Sequence, residues 1–351
     1  MENKENKTWL VQLDLLRLIA AFSVVLLHAS AHLWYYLPVR GTDFIITNAI
    51  NVFSRFGVPV FTMISGVLFL DPNKKISTIK LWKNNILRLA VVYALWSCIY
   101  GVVHFTALDE DARSIKALIK CMLAGNYHLW FLPMLMGLYA LVPILRKWLS
   151  VCDKKDLHYF LGLFFCFQIL RITLSTYVKN PEVLALLGDA KIDLVCGYAG
   201  YFIFGYYLYY VKLPEKWAKL LSFGFPLFYL LNVLVSMLQA WQFGEPRAEI
   251  SDSYGLFTFL MTLSLFQMLT QRSERKSDDN ASPEWIRFLA QSTFGTYLLH
   301  LLVMESPWIL PLFSKMTPVI AIPVITVISF VISMILATIL RKIPWIGRYL
   351  C

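Results

Sequence analysis

The chain has 351 residues, of which 58% are hydrophobic and only 15% charged, with a net charge of +10 and a mean hydropathy of +0.61. A water-soluble domain has too little interior to hide that much apolar surface, whereas a bilayer accepts it. The composition therefore excludes an ordinary soluble fold and predicts an all-α, polytopic membrane helix bundle.

The first eight residues are polar. The apolar run after them is too long for a signal peptide and lacks a small-residue cleavage site, so it reads as a retained first span. Ten hydrophobic segments can be marked, near 10–32, 44–70, 86–107, 129–145, 157–178, 192–211, 217–240, 254–271, 289–310 and 318–340. Each is close to the ~20 residues that cross a hydrocarbon core. The fourth and sixth are the least regular, interrupted by Pro133, Pro143 and several glycines. The chain shows no internal repeat, and residues 271–282 are its most linker-like piece, so a single membrane domain over 1–351 is expected. With the N-terminus inside, twenty Lys and Arg fall in inner segments and eight in outer loops. That bias places both termini in the cytoplasm, and it accounts for the positive charge without a nucleic-acid partner. The six cysteines are scattered, and neither metal spacing nor a disulfide framework is predicted.

The first span carries Asp14, Arg17 and His28 within an apolar run. The eleven steps from Arg17 to His28 leave them roughly 20° apart on one helix face, about 16 Å along the axis. Asp14 sits one turn before Arg17 on nearly the same stripe. Ionisable groups inside a membrane helix are costly and usually line a cavity or pair with each other. His28 therefore reads as a general base or an acyl-accepting nucleophile, and Arg17 as the holder of an anionic group or a partner carboxylate. The bland alternative is a hydrogen-bonded interhelical histidine and a snorkelling arginine. His32 lies among Trp34, Tyr35 and Tyr36, where an interfacial aromatic belt explains it.

In the second span, Gly57 and Pro59 loosen the helix, and Ser65-Gly66 allows close approach of a backbone or a thin ligand. Arg55 falls well inside that span and needs a partner. The third span opens with Lys80, Lys83 and Arg88, cations that suit either the phosphates of a cytoplasmic cofactor or positive-inside anchoring. His128-Leu129-Trp130 enters the fourth span from outside, a mix of groups that fits a sugar at a membrane mouth or an ordinary interface. The ninth span places Tyr297 and His300 one turn apart near mid-bilayer.

Together these blocks resemble the membrane acyltransferase 3 family. Arg17-x10-His28 preceded by Asp14 resembles its first-helix signature, and Val58-Pro59-Val60-Phe61 to Ser65-Gly66 its second-helix motif. Lys83 and Arg88 resemble its basic pair before the third helix, although the commoner pattern has two closely spaced arginines. His128-Leu129-Trp130-Phe131 and Ser292 to His300 are similar to further family blocks in the expected order, so the likeness runs almost the whole chain. The second and fourth blocks are similar to the branch that O-acetylates enterobacterial common antigen and other surface polysaccharides.

The resemblance implies a multi-pass enzyme of the bacterial cytoplasmic membrane that takes acetyl groups from cytoplasmic acetyl-CoA and places them on glycan hydroxyls, with no metal. Carried onto matching positions, His28 becomes the catalytic histidine, with Arg17 and Asp14 as its motif partners. Ser65, Lys83 and Arg88 fall on the acyl-CoA side. Arg55, His128, Trp130, Tyr297 and His300 are expected around the acceptor or the core. The chain stops at Cys351 without the extra periplasmic esterase-like domain of some relatives, so the acceptor is expected to be handled by the membrane domain or a partner. Direct attack by a hydroxyl deprotonated by His28 is preferred over an acyl-histidine, with Tyr297 or Asn126 as oxyanion donors. The alternatives are a transporter or flippase of a glycan or small molecule, and a succinyl or N-acyl transferase on the same fold.

Overall fold

A computed structural model describes residues 11–109, 113–178, 182–183, 197–271, 283–344 and 347–350. Of the charges that set the predicted orientation, Lys4, Lys7, Lys179, Lys191, Arg272, Arg275 and Lys276 lie outside these residues, as does nearly all of the 271–282 linker. The regular structure is helical throughout, and no strand occurs among the described residues.

Helix α1 (Val11–Trp34) is continuous and 24 residues long. The second span is two helices, α2 (Thr42–Ser54) and α3 (Gly57–Phe69), jointed at Arg55-Phe56 just before Gly57 and Pro59. The third begins with the short α4 (Thr78–Leu81), passes through a π-helical turn over Trp82–Ile86, and continues as α5 (Leu87–Thr106). Next comes α6 (Ile115–Ala124), where Ser114 accepts the Ala117 N–H as N-cap. Hydropathy alone leaves this segment in an outer loop. It forms because Ile115, Ile119 and Leu123 make an i, i+4, i+8 apolar stripe, exposed in the chain and suited to the bilayer interface.

A 3₁₀ turn over Tyr127–Trp130 leads into α7 (Phe131–Leu149). The fifth span is α8 (Lys154–Phe164), a π-helical turn and α9 (Arg171–Ser175). Then follow α10 (Ala199–Tyr206), α11 (Glu215–Phe223), α12 (Phe225–Phe243) and α13 (Leu256–Gln271). The C-terminal part holds α14 (Glu284–Ala290), α15 (Thr293–Met304), α16 (Leu312–Lys315), α17 (Pro318–Arg341) and α18 (Gly347–Leu350).

Among the described residues, eight helical runs are long and apolar enough to cross a membrane. The two remaining predicted spans, near 192–211 and 289–310, are shorter helices among the described residues: α10 with its following π-helical turn, and α15. The ninth is interrupted at Gln291-Ser292. Arg341, in the last turn of α17, donates to Gln291 Oε1 at 2.6 Å and to Ser292 Oγ at 3.2 Å, and Ser292 Oγ lies 3.0 Å from Thr338 Oγ1. Those bonds meet polar groups that lipid could not.

Small residues set the closest helix contact. A Cβ at Gly66 would fall 1.8 Å from the Phe202 carbonyl oxygen, and one at Gly205 would fall 2.1 Å from that of Met63. α3 and α10 thus cross backbone against backbone, which only glycine on both sides allows. At the chain reversal after α3, Arg146 of α7 donates to the carbonyls of Phe69 (3.0 Å), Asp71 (2.7 Å) and Lys74, closing a helix end that would otherwise hold unmet acceptors.

Candidate active site

The site has two parts. The end of the bundle that carries Arg17, Arg88 and Arg341 holds a cavity of about 690 Å³. α1 supplies Arg17 to its wall, and α3 supplies Phe61, Ser65 and Leu68. The π-helical turn brings Asn84 and Asn85 to the same wall as Arg88 and Leu89, which follow it in α5. Such turns re-aim side chains at functional sites.

Asp14 fixes Arg17 in place. Their charged atoms meet at 2.8 Å, with the Asp14 side chain 1% exposed and that of Arg17 19% exposed. The carboxylate is thus a buried anchor, and the guanidinium it holds faces the cavity. Arg88 lies over the Phe294 ring at 6.0 Å. Three guanidinium groups, two asparagines, Gln291 and an apolar floor make a pocket for a ligand that is anionic at one end and oily at the other.

The far wall of the cavity includes Tyr297 and Phe131. Behind them stands a group of three imidazoles. The ring centroids of His28 and His300 are 5.0 Å apart, those of His128 and His300 5.3 Å, and those of His28 and His128 6.4 Å. Tyr297 donates its hydroxyl to the His128 carbonyl and accepts at its own carbonyl from His300 Nδ1 at 2.6 Å. The Tyr100 hydroxyl bridges the Leu298 carbonyl (2.8 Å) and the Leu302 N–H (3.2 Å), two groups that one helical turn would otherwise join. α5 thereby grips the turn of α15 that carries His300. The Tyr127 hydroxyl lies 3.1 Å from His28 Nδ1, and Asn126 Oδ1 lies 2.9 Å from His128 Nδ1.

Sequence-expected residues distribute over both parts. Arg17, Ser65 and Arg88 line the cavity and Asp14 holds Arg17 from outside its wall, with Arg17 and His28 at opposite ends of the site along α1. Tyr297 joins cavity and imidazoles, and His28, His128 and His300 converge. Lys83 is exposed and is not part of the cavity wall, although its neighbours Asn84 and Asn85 are.

Two others stand aside. The Arg55 guanidinium donates to Asn51 Oδ1 at 2.8 and 2.9 Å, lies 3.7 Å from the Asp252 carboxylate and sits over Trp34 at 5.8 Å. Its buried position in the second span is thus met by partners from α1, α2 and the loop before α13. Trp130 is 45% exposed and packs against Tyr198 at 5.5 Å.

Sequence reasoning missed Arg341, Asn84, Asn85 and Tyr127. Arg341 counts in the sequence only as an orientation charge at a helix end, and nothing local links it to Gln291 and Ser292. The register of Tyr127 depends on the 3₁₀ turn, which departs from helical phase. The four described cysteines, Cys98, Cys121, Cys152 and Cys166, are free thiols.

The acyltransferase 3 family model, described as an acyltransferase domain, matches residues 10–340. No curated protein and no solved structure matches the chain. A family match that covers nearly the whole bundle, with the imidazole group and every cavity residue but Arg341, places this chain in the acyltransferase 3 family of membrane acyltransferases.

Proposed function

We propose that the chain moves an acyl group, acetyl in the first instance, from cytoplasmic acyl-CoA to a hydroxyl of a cell-surface polysaccharide or its lipid-linked precursor at the bacterial cytoplasmic membrane. One observation carries the reading. A cavity lined by Arg17, Arg88 and Arg341 ends at Tyr297, and Tyr297 touches the imidazole group. Three guanidinium groups suit the phosphates of a nucleotide coenzyme. Phe61, Ile64, Leu68 and Leu135 suit the pantetheine arm and acyl chain. α1 carries the separation from Arg17 to His28, about 16 Å, which the extended arm of the coenzyme would have to cover. The charge count that favours a cytoplasmic N-terminus puts the cavity on the side where acyl-CoA is found.

In this reading His28 takes the acceptor hydroxyl's proton as its oxygen attacks the thioester carbonyl. Collapse of the tetrahedral intermediate breaks the carbon–sulfur bond, and the departing thiolate receives that proton, leaving free CoA. Tyr127 orients the His28 ring. The Tyr297 hydroxyl donates to the His128 carbonyl and would have to give up that bond to serve an oxyanion, whereas Asn126 engages His128 through Oδ1 and its donating Nδ2 lies 3.5 Å from His104 Nε2. The surface-polysaccharide branch is supported by the resemblance of the second-span and fourth-span blocks.

The test is transfer from radiolabelled acetyl-CoA in membranes, comparing wild type with His28→Ala and Arg17→Ala at equal expression. Label should enter a glycan or glycolipid fraction in wild type and vanish in His28→Ala. Equal label in both would remove His28 from the mechanism. Glycan movement across vesicles with no transfer from any acyl-CoA would replace the enzyme reading with a transporter.

A further inference from the structure

His300 has one ring nitrogen committed and the other unmet. Its Nδ1 lies 2.6 Å from the Tyr297 carbonyl oxygen. A carbonyl only accepts, so the proton of the neutral ring is on Nδ1 and the lone pair on Nε2. That Nε2 is buried and has no hydrogen-bond partner among the described residues, on a side chain with 0% exposure.

His128 is built in a similar way. Asn126 Oδ1 takes the His128 backbone N–H at 3.4 Å and faces its Nδ1 at 2.9 Å, so Nδ1 again holds the proton. His128 Nε2 is likewise buried and unmet. The Leu298 carbonyl also approaches the His128 ring while taking the Tyr100 hydroxyl, so His300 is the more firmly fixed of the two. His28 differs. Its Nδ1 faces the Tyr127 hydroxyl, which either gives or takes a proton, so this ring is free to exchange tautomers.

The centre therefore presents a fixed acceptor, His300 Nε2, beside an imidazole able to serve as base. A buried acceptor calls for a donor, and the described residues supply none to it. With the two ring centroids 5.0 Å apart, a small ligand carrying two adjacent hydroxyls is of a size to reach both rings. We infer that this site takes a vicinal diol, such as adjacent hydroxyls of a sugar ring, with the reacting hydroxyl on His28 and its neighbour donating to His300. An isolated alcohol meets only one imidazole. The inference rests on the acyl-transfer reading, because it assigns the acceptor's place in that reaction.

The experiment uses the full chain in lipid nanodiscs with three probes: trans-1,2-cyclohexanediol, its mono-methyl ether and trans-2-aminocyclohexanol. Two readouts are taken, thermal stabilisation by each probe and acetyl transfer from radiolabelled acetyl-CoA. The diol should be preferred over the ether by about tenfold or more in kcat/KM, and should stabilise the protein at lower concentration. His300→Phe should bring both preferences close to parity, while His300→Gln, whose amide oxygen accepts, should keep part of them. Equal treatment of diol and ether by wild type, or an unchanged preference in His300→Phe, overturns the inference. A stronger preference for the amino alcohol overturns it in favour of an amine acceptor. Absence of transfer to every probe, with no CoA released, counts against the acyl-transfer reading alone, and the stabilisation ratio still decides the diol. Should His300→Phe fail to fold, His300→Gln and the wild-type ratio carry the test.

Discussion

Replacing Arg17 separates a structural ion pair from a ligand-binding cation. Asp14 is 1% exposed and meets Arg17 at 2.8 Å, and its second oxygen, Oδ2, is buried without a hydrogen-bond partner among the described residues. Removing the guanidinium leaves a buried carboxylate without its ion-pair partner. Breaking a buried pair in this way costs about 3–5 kcal/mol. Arg17→Ala should therefore lower thermal stability in nanodiscs and abolish acyl transfer together, and by itself it explains neither loss. The informative variant is Asp14→Asn with Arg17→Gln, which removes both charges and keeps polar groups able to bond each other. It should recover most of the stability, since no unpaired charge remains. Transfer should stay low, because the cavity still lacks one of its three guanidinium groups. Full recovery of transfer alongside stability would refute the reasoning, since Arg17 would then serve only to neutralise Asp14.

Other expectations follow from the same geometry. Arg88→Ala and Arg341→Ala should each raise KM for acyl-CoA about tenfold, as loss of a charge-assisted hydrogen bond would, whereas Lys83→Ala, off the cavity wall, should change it less than about twofold; steady-state kinetics on the three variants decides this. Gly66→Val should prevent stable folding, because a Cβ there meets the Phe202 carbonyl oxygen at 1.8 Å, while Gly137→Ala, with nothing within 4 Å, should melt like wild type. In sealed cells, single-cysteine variants test orientation: an impermeant maleimide should label Cys121 from outside, and Cys152 only after permeabilisation. Burial and nearby Asp156 push the Cys152 thiol up, so its labelling should quicken as pH rises and the thiolate forms.

Much of this protein is written locally. Long apolar runs specify membrane helices because lipid leaves the backbone no partner but itself. The phase of an α-helix puts Arg17 and His28 on one face of α1 whatever surrounds them, and an ionisable pair in an apolar run marks that face as costly. Ser65-Gly66 likewise announces a close contact before its partner is known.

What touches what is not local. Phe202 as the backbone against Gly66, and Arg341 as the cation reaching Gln291 and Ser292 across the break before α15, come from residues far away in sequence. The π-helical turn over Trp82–Ile86 changes helical phase, and in the tertiary structure Asn84, Asn85 and Arg88 line the cavity while Lys83 is exposed. In sequence, His28 stands out by its phase with Arg17, His128 reads as a residue at a membrane mouth and His300 as an ionisable position in the ninth span, and nothing local joins the three. Only helix packing brings their rings within 5.0 to 6.4 Å of one another, and only the carbonyl facing His300 Nδ1 fixes which of its nitrogens is free to accept. Periodicity fixes the face a residue occupies on its own helix; the neighbour across that face, and so the chemistry, is settled by how the helices pack.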